Sequence, residues 1–337
     1  MQCLKHRENG NHESVFLDST LDRSGWTPAS LDFLGELVTQ LPAETASDLA
    51  QKAGMNVSRA ELDRLIRALG NACSKEHRSA LVKLSHAPLE PAQPESSERV
   101  MVLQMDGCFV LGQAKDGKCP GVEIKTACVY PQNAPRERTL YSTVESAEDF
   151  CDPVAGLLRQ AGVRQNDTVV LVGDGAPWIA RIAELQNLPL VLDVFHASHY
   201  LDVVMQASDW TEAQRLAERK RLLKGEIQLQ SWLETCLPLP CKREAWIEEA
   251  RSALNYLQNR LSQMDYPTFI TRGWPIGSGQ IEGINKSVIG HRMKRSGQHW
   301  SRPGARGMAA LRARRYSRRS LLSFDHLRHA AFSTPQI

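Results

Sequence analysis

The sequence predicts an α/β chain: a mixed β-sheet covered on both faces, interrupted by an all-helical insertion and preceded by a helical region. Three observations carry that expectation. From about residue 100 the apolar pattern becomes short strand-like runs, first hairpin-linked and then alternating with helices. Between Leu201 and Asp265 the pattern is almost wholly helical. Ahead of residue 87, apolar residues recur at helical spacing instead.

Taken in order, Thr27 to Gly70 predicts two or three short helices, started by Pro28 and Pro42 and stopped by Gly54 and Gly70. Asp48 to Gly54, then Val57-Ser58 leading into Arg59 to Ile66, has the shape of a helix-turn-helix. Gly54 sits in its turn and Ser58 caps its second helix. Arg59, Arg64 and Arg67 are the candidate DNA contacts there, although Glu61 and Asp63 beside them also suit an ordinary helical hairpin. The helical region is set at 27–86, and 87–98, with Pro88, Pro91 and Pro94, reads as a linker.

The core begins at 99. Val100 to Met105 predicts a strand, Lys115 to Gly121 a turn, Val122 to Tyr130 a second strand and Thr139 to Val144 a third. Ala147 to Ala161 predicts a helix through Phe150, Val154, Leu157 and Leu158. A strand at Thr168 to Val172, a helix at Pro177 to Gln186 and a strand at Leu188 to Val194 follow. This order matches the ribonuclease H fold, in which the first and fourth strands are neighbours. Residues 99–200 form its first part and 201–275 the helical insertion, broken by Pro238 and Pro240. Trp210, Trp232 and Trp246 lie in the insertion and read as helix packing. The core resumes over 276–300 with a helix from Ser278 or Gly279 carrying Glu282, Asn285, Lys286, Ile289 and Met293. A basic tail at 301–337 ends the chain.

The chemistry centres on three acids. Asp106 and Asp174 end apolar strands, and each is followed by a glycine that lets a substrate backbone come close. A carboxylate there is expensive unless a metal, proton or substrate uses it. With Glu282 they could hold two Mg²⁺ ions, for which Mn²⁺ may substitute, about 3.5 to 4 Å apart on a phosphodiester. Glu226, Glu234, Glu248 and Glu249 compete for the third place, but they lie in charge-rich helices where a solvated face is the ordinary use. Lys286, one turn after Glu282, would stand near the phosphate, and Asn285, Arg292, Lys294 and Arg295 are further substrate-binding candidates. In Asp193-Val194-Phe195-His196 the acid and the imidazole could bond each other or meet DNA. A zinc site would need more ligands than are visible there. A nucleophile elbow and a phosphate-binding P-loop are both absent.

Charge is uneven. The chain has 41 Lys plus Arg against 38 Asp plus Glu. Yet from Lys286 to Arg328 the sole acid is Asp325, and Arg312, Arg314 and Arg315 in that stretch are candidate phosphate contacts. Eight cysteines without a C-x-x-C pair read as reduced thiols in a bacterial cytoplasm, associated with the nucleoid, and no apolar run is long enough for a membrane.

From about Phe16 to Arg315 the chain resembles the ISKra family of insertion-sequence transposases. The ordered passages are Leu41-Pro42 with the helix-turn-helix, Met105-Asp106-Gly107, Gly173-Asp174-Gly175-Ala176-Pro177-Trp178, Asp193-Val194-Phe195-His196, Ser278-Gly279-Gln280-Ile281-Glu282-Gly283, and Gly297-Gln298-His299-Trp300-Ser301 leading to Ala309-Ala310-Leu311-Arg312-Ala313. The resemblance implies a DDE transposase with Asp106, Asp174 and Glu282 as catalytic acids. It also implies double-stranded DNA as partner, both terminal inverted repeats and target, and a homodimer or larger assembly to hold two ends. The Asp-x-x-His step is similar to one in other DDE lineages with helical insertions. Family members often begin with a cysteine-rich, zinc-ribbon-like segment, whereas Met1 to Ser14 offers Cys3, His6 and His12, so 1–26 is expected to be truncated or degenerate. The rival expectations are a decayed or domesticated DNA-binding protein and a structure-specific nuclease on the same fold.

Overall fold

The structure is a computed structural model that describes residues 5–8, 11–14, 26–92, 99–114, 118–235 and 244–318. A small antiparallel hairpin, β1 (Lys5–Glu8) and β2 (Asn11–Ser14), comes first. Helices α1 (Pro28–Gln40), α2 (Ala43–Lys52) and α3 (Arg59–Ser85) follow. Gly54 turns the chain between α2 and α3 with φ +80°, a conformation that a side chain resists. The Ser58 hydroxyl accepts from the Glu61 amide while the Glu61 carboxylate accepts from the Ser58 amide at 2.8 Å, a reciprocal cap that fixes where α3 begins.

Gly70 does not stop that helix, contrary to expectation. It lies where α3 crosses the last helix at Gly307, and a Cβ on Gly70 would come 2.9 Å from the Gly307 Cα. The glycine permits a close crossing rather than a turn. Below it, α3 packs on α4 (Ala147–Gln160) so tightly that a Cβ on Gly156 would lie 2.0 Å from the Leu81 carbonyl oxygen.

The main sheet has five strands in the order β5-β4-β3-β6-β7. They are β3 (Val100–Leu111), β4 (Gly121–Pro131), β5 (Thr139–Thr143), β6 (Thr168–Gly173) and β7 (Leu190–Leu192). The strands β3, β4 and β5 pair antiparallel, whereas β6 runs parallel to both β3 and β7. The sheet is therefore mixed. Alternation along β3 and β6 sorts the faces: Met101, Leu103, Met105 and Leu171 pack with Phe150, Leu157 and Ile179 of α4 and α5 (Pro177–Leu185). Val102, Val170 and Val172 pack on the other face with the helices that follow β7.

Those helices are α6 (Val194–Ala207), α7 (Glu212–Leu223), α8 (Leu229–Thr235), α9 (Glu244–Gln258) and α10 (Tyr266–Thr271). The insertion is helical as expected, but α6 starts directly after β7 and runs through the expected boundary at 201. Asp193, read as strand, has left β7 to cap α6. Trp210 and Trp232 pack with ring centroids 5.9 Å apart, a structural use. Pro238 and Pro240 lie outside the described residues.

The chain returns through α11 (Gly279–Ile284), one π-helical stretch over Asn285–Gly290, α12 (His291–Met293) and α13 (Arg302–Tyr316). The last of these corrects the basic tail. Small residues let α13 pack on both sides, with Ala305, Ala309 and Ala313 in the sheet's core and Ala310 and Leu311 in that of the N-terminal helices. Residues 319–337 lie outside the description. Part of the linker is also docked, since Glu90 makes a strand-like bridge to Arg164. Residues 93–98 of it are not described. Among the described residues no helix is long and apolar enough to cross a membrane.

Candidate active site

Parallel pairing of β3 and β6 places Gln104 opposite Val172. Two residues further on stand Asp106 and Asp174: β3 runs on to Leu111, so Asp106 lies within its strand rather than at the expected end, on the sheet face that the insertion covers, and Asp174 follows the last residue of β6. Their proximity follows from register alone. Burial pushes the Asp106 carboxyl above the usual carboxylate range; the neighbouring Asp174 charge adds to the rise, while a hydrogen bond from Asn285 and the nearby His196 oppose it. Asp174 Oδ1 accepts from the Ala176 amide at 2.9 Å, folding the turn through Gly175, whose φ is +80°.

The second element of the site is the helix that returns after the insertion. Gln104, 1% exposed, projects from the same strand face as Asp106 and accepts from the Ile281 amide at 2.9 Å while donating to the Gly277 carbonyl at 3.0 Å. It seats the start of α11 against the sheet. One turn later, Asn285 Nδ2 donates to Asp106 Oδ2 at 2.7 Å. Asn285 Oδ1 is buried without a hydrogen-bond partner. This residue opens the π-helical stretch, a distortion that re-aims side chains and recurs at functional sites. Glu282 lies three residues before Asn285, exposed, and so does Lys286 immediately after it.

Asp193 ties the third element in. It is wholly buried and accepts from the His196 amide at 2.9 Å, the Ser278 amide at 2.5 Å and the His196 ring Nδ1 at 3.4 Å. Burial pushes its carboxyl up, but the bonds from His196 and Ser278 together prevail and hold it below the ordinary value. His196 moves the other way: the bond to Asp193 raises it, burial opposes, and the charges of Asp193, Asp174 and Asp106 add to the rise. The expected Asp193–His196 pair is present, and it fastens the α11 approach as well.

No protein-family model and no curated protein matches this chain.

Two groups that the sequence reading missed come from the insertion. Tyr256 Oη donates to the Asp174 carbonyl at 3.1 Å, and Arg260 Nη2 donates to the Gly175 carbonyl at 3.3 Å. Tyr256 stacks on Tyr200 with centroids 3.8 Å apart, and the Arg260 guanidinium covers its other side at 3.8 Å. No local pattern announces them. Gln104 did have a signal, a polar residue inside an apolar strand two before Asp106.

The structure brings Asp106, Asp174, His196 and Asn285 together and sets Glu282 at the edge. Among the described residues no three His, Cys, Asp or Glu side chains stand close enough to hold a metal. Lys294 and Arg295 are exposed, as are Arg59, Arg64 and Arg67 on α3, where Arg59 lies 3.8 Å from Asp63. Other candidates are corrected. Arg312 is 2% exposed and donates to the carbonyls of Thr39, Ser287 and Val288, so it braces helices rather than meeting phosphate. Arg314 is largely buried and lies 3.9 Å from Glu36, which also pairs with Arg315. Arg292 is not withdrawn in this way: it is 3% exposed, against the Val38 carbonyl and the Trp300 ring, but it also lines a cleft beside α2 and α3.

Proposed function

We propose that the chain is a DNA strand-transferase of the DDE type on a ribonuclease H-like fold, acting on the ends of an insertion sequence. The observation that carries this reading is the nearness of Asp106, within β3, to Asp174, just past the end of the parallel strand β6, with Asp106 bonded by Asn285 from the π-helical stretch that continues the helix of Glu282. The strand order, with its antiparallel first hairpins and parallel later strands, supports the fold assignment. So does the ordered likeness to ISKra transposases described above.

Asp106 and Asp174, with the unpartnered Asn285 oxygen beside Asp106, offer oxygen donors of the kind a hard divalent cation takes, and Glu282 is the third acid of the proposal rather than part of a preformed cluster. Magnesium bound by Asp106, Asp174 and Glu282 would supply Lewis-acid stabilisation of the charge that builds on the phosphate oxygens. Glu282 stands exposed on α11, whose start is held by Gln104 and Asp193, and it would have to move toward the pair to complete the set. The chain's own residues orient the reaction. Asn285 fixes one oxygen of Asp106, Tyr256 and Arg260 hold the Asp174 turn, and exposed Lys286 meets the phosphate.

In the first step a water oxygen bonds to phosphorus and the 3′-oxygen of the cut strand leaves with a proton. In the second, that 3′-hydroxyl attacks a target phosphodiester and a target 3′-oxygen leaves. Both are displacements at phosphorus in which positioning and electrostatics do the catalysis. The exposed arginines of α3 bind duplex DNA, and two copies hold two ends. The test incubates the protein with labelled terminal-repeat DNA and magnesium. Cleavage followed by joining supports the proposal; cleavage without joining points to a nuclease, and binding alone to a DNA-binding protein. Glu282→Gln should abolish both reactions and leave binding intact, and retained cleavage would remove Glu282 from the site.

A further inference from the structure

A cleft of about 420 Å³ opens where the beginnings of α2 and α3 face the loop ahead of α13. Three arginines line it: Arg59 and Arg67 from α3, and Arg292 from the end of the segment that carries Glu282. Two carboxylates line it too, Asp63 at 3.8 Å from Arg59 and exposed Glu44.

Arg292 is the informative member. It is 3% exposed, its Nε donates to the Val38 carbonyl at 3.4 Å and its guanidinium lies over the Trp300 ring at 5.5 Å. Among the described residues no carboxylate stands within ion-pair distance of it. Burial, with the charges of Arg312 and Arg295 and against the opposing charge of Asp63, pushes it down to about 10. Asp63 counters this buried cation only from beyond ion-pair distance, and an anion in the cleft would offset more of the cost of its burial. The start of α2 adds to the same potential, because Pro42 offers its first-turn amides no side-chain cap and Pro42, Ala43 and Glu44 form part of the wall.

We infer that this cleft is a phosphate-binding site, in which Arg292, Arg67 and Arg59 hold a phosphate group against the start of α2. The inference rests on the reading above in naming DNA backbone as the source, since two of the arginines open to solvent on the helix-turn-helix; free phosphate is the other source of the same chemistry. Arg292 lies in α12, which the π-helical stretch joins to the helix of Glu282. A strand seated here thus touches the N-terminal helices and the end of the catalytic helix at once.

The test uses His299, exposed on the cleft wall, as reporter. Its imidazole resonances, assigned with His299→Gln, are followed in the full chain as a short duplex or inorganic phosphate is added. Duplex should shift them to saturation, and Arg67→Ala should raise the half-saturating concentration by about tenfold. Lys83→Ala, on the same helix but outside the cleft, should leave the shift in place. Arg292→Met should weaken it further, and Arg67→Ala carries the test if that variant fails to fold. Saturation by phosphate but not by duplex supports the site with a free anion as its ligand. No saturating shift with either probe, or a shift that Arg67→Ala leaves unaltered, overturns the inference. A wild-type chain that shifts His299 with duplex yet neither cuts nor joins DNA keeps the site and removes strand transfer.

Discussion

Tyr256 donates its phenolic proton to the main-chain oxygen of Asp174 at 3.1 Å, across 82 residues of sequence. The insertion is thereby part of the site and not an appendage beside it. Stacking on Tyr200 and cover from Arg260 fix the ring, and a Cβ on Gly175 would lie 2.3 Å from its hydroxyl. The turn that aims Asp174 is held from both its own hydrogen bond and the α9 side. Burial chiefly, with the nearby Tyr200 and Asp174 and against the pull of Arg260, pushes the Tyr256 phenol up to about 12, so it stays a donor at neutral pH.

Replacing Tyr256 by Phe removes that donor and keeps the stack. The loss of one hydrogen bond should cost about 1 kcal/mol of stability in urea unfolding. On the proposed function, strand cleavage should fall more steeply, by up to about a hundredfold, because a displaced Asp174 would misalign the reacting groups. Unchanged cleavage in a destabilised protein would mean that Tyr256 supports the fold alone.

Asp193→Asn tests the link between the imidazole and the α11 approach. The wild-type His196 midpoint should lie above 6.5, and the variant should bring it down, as read from its ring resonances. The sign follows from the raised value: the protonated pair stabilises the fold fully below the unfolded value near 6.5 and loses that contribution as pH rises through the folded one. The Asn side chain must also turn an N–H toward Ser278 or His196, costing about 1 to 3 kcal/mol. A His196 midpoint that does not move would show that the other carboxylates, not Asp193, set it.

The sheet was legible because its strands are written as apolar runs between turn residues, and the meeting of Asp106 with Asp174 then followed from parallel pairing. Tertiary reasons hid the rest. Gly70 looks like a helix stop by itself, and its use emerges only once Gly307 crosses it. Summing charge from Lys286 onward made a tail of what Ala305, Ala309, Ala310 and Ala313 turn into a buried helix. The sequence points to Glu282, but the side chain that touches Asp106 is Asn285, the first residue of the π-helical stretch. Tyr256 and Arg260 sit in ordinary amphipathic sequence, so nothing local sets them apart.

Arg312→Leu separates a brace from a phosphate contact. Its guanidinium satisfies the Thr39 carbonyl on α1 and the Ser287 and Val288 carbonyls of the π-helical stretch, and the substitution leaves those acceptors bare. Stability should drop by on the order of 3 kcal/mol or more in chemical denaturation. The salt dependence of DNA binding by the fraction still folded should stay as in the wild type, whereas loss of a phosphate contact would flatten its slope by about 0.9. A flattened slope with undiminished stability would return Arg312 to the DNA interface.

His77 gives the fold an acid-sensitive joint. It lies 3% exposed between α3 and the sheet, with Nε2 3.3 Å from Gln160 Oε1, its ring edge-on to Tyr141 and Nδ1 buried without a partner. Burial outweighs the bond to Gln160 and pushes the imidazole down to about 4. The unfolded chain takes up this proton near pH 6.5 and the folded chain refuses it until near 4, so the stabilisation is whole above 6.5 and drains away as pH falls between those values. A gap of that size corresponds to about 3 kcal/mol. His77→Gln, neutral throughout and able to reach Gln160, should flatten that part of the profile when unfolding free energies are measured from pH 7.5 to 4. Wild-type and variant curves that run parallel through this window would show that the acid sensitivity arises elsewhere.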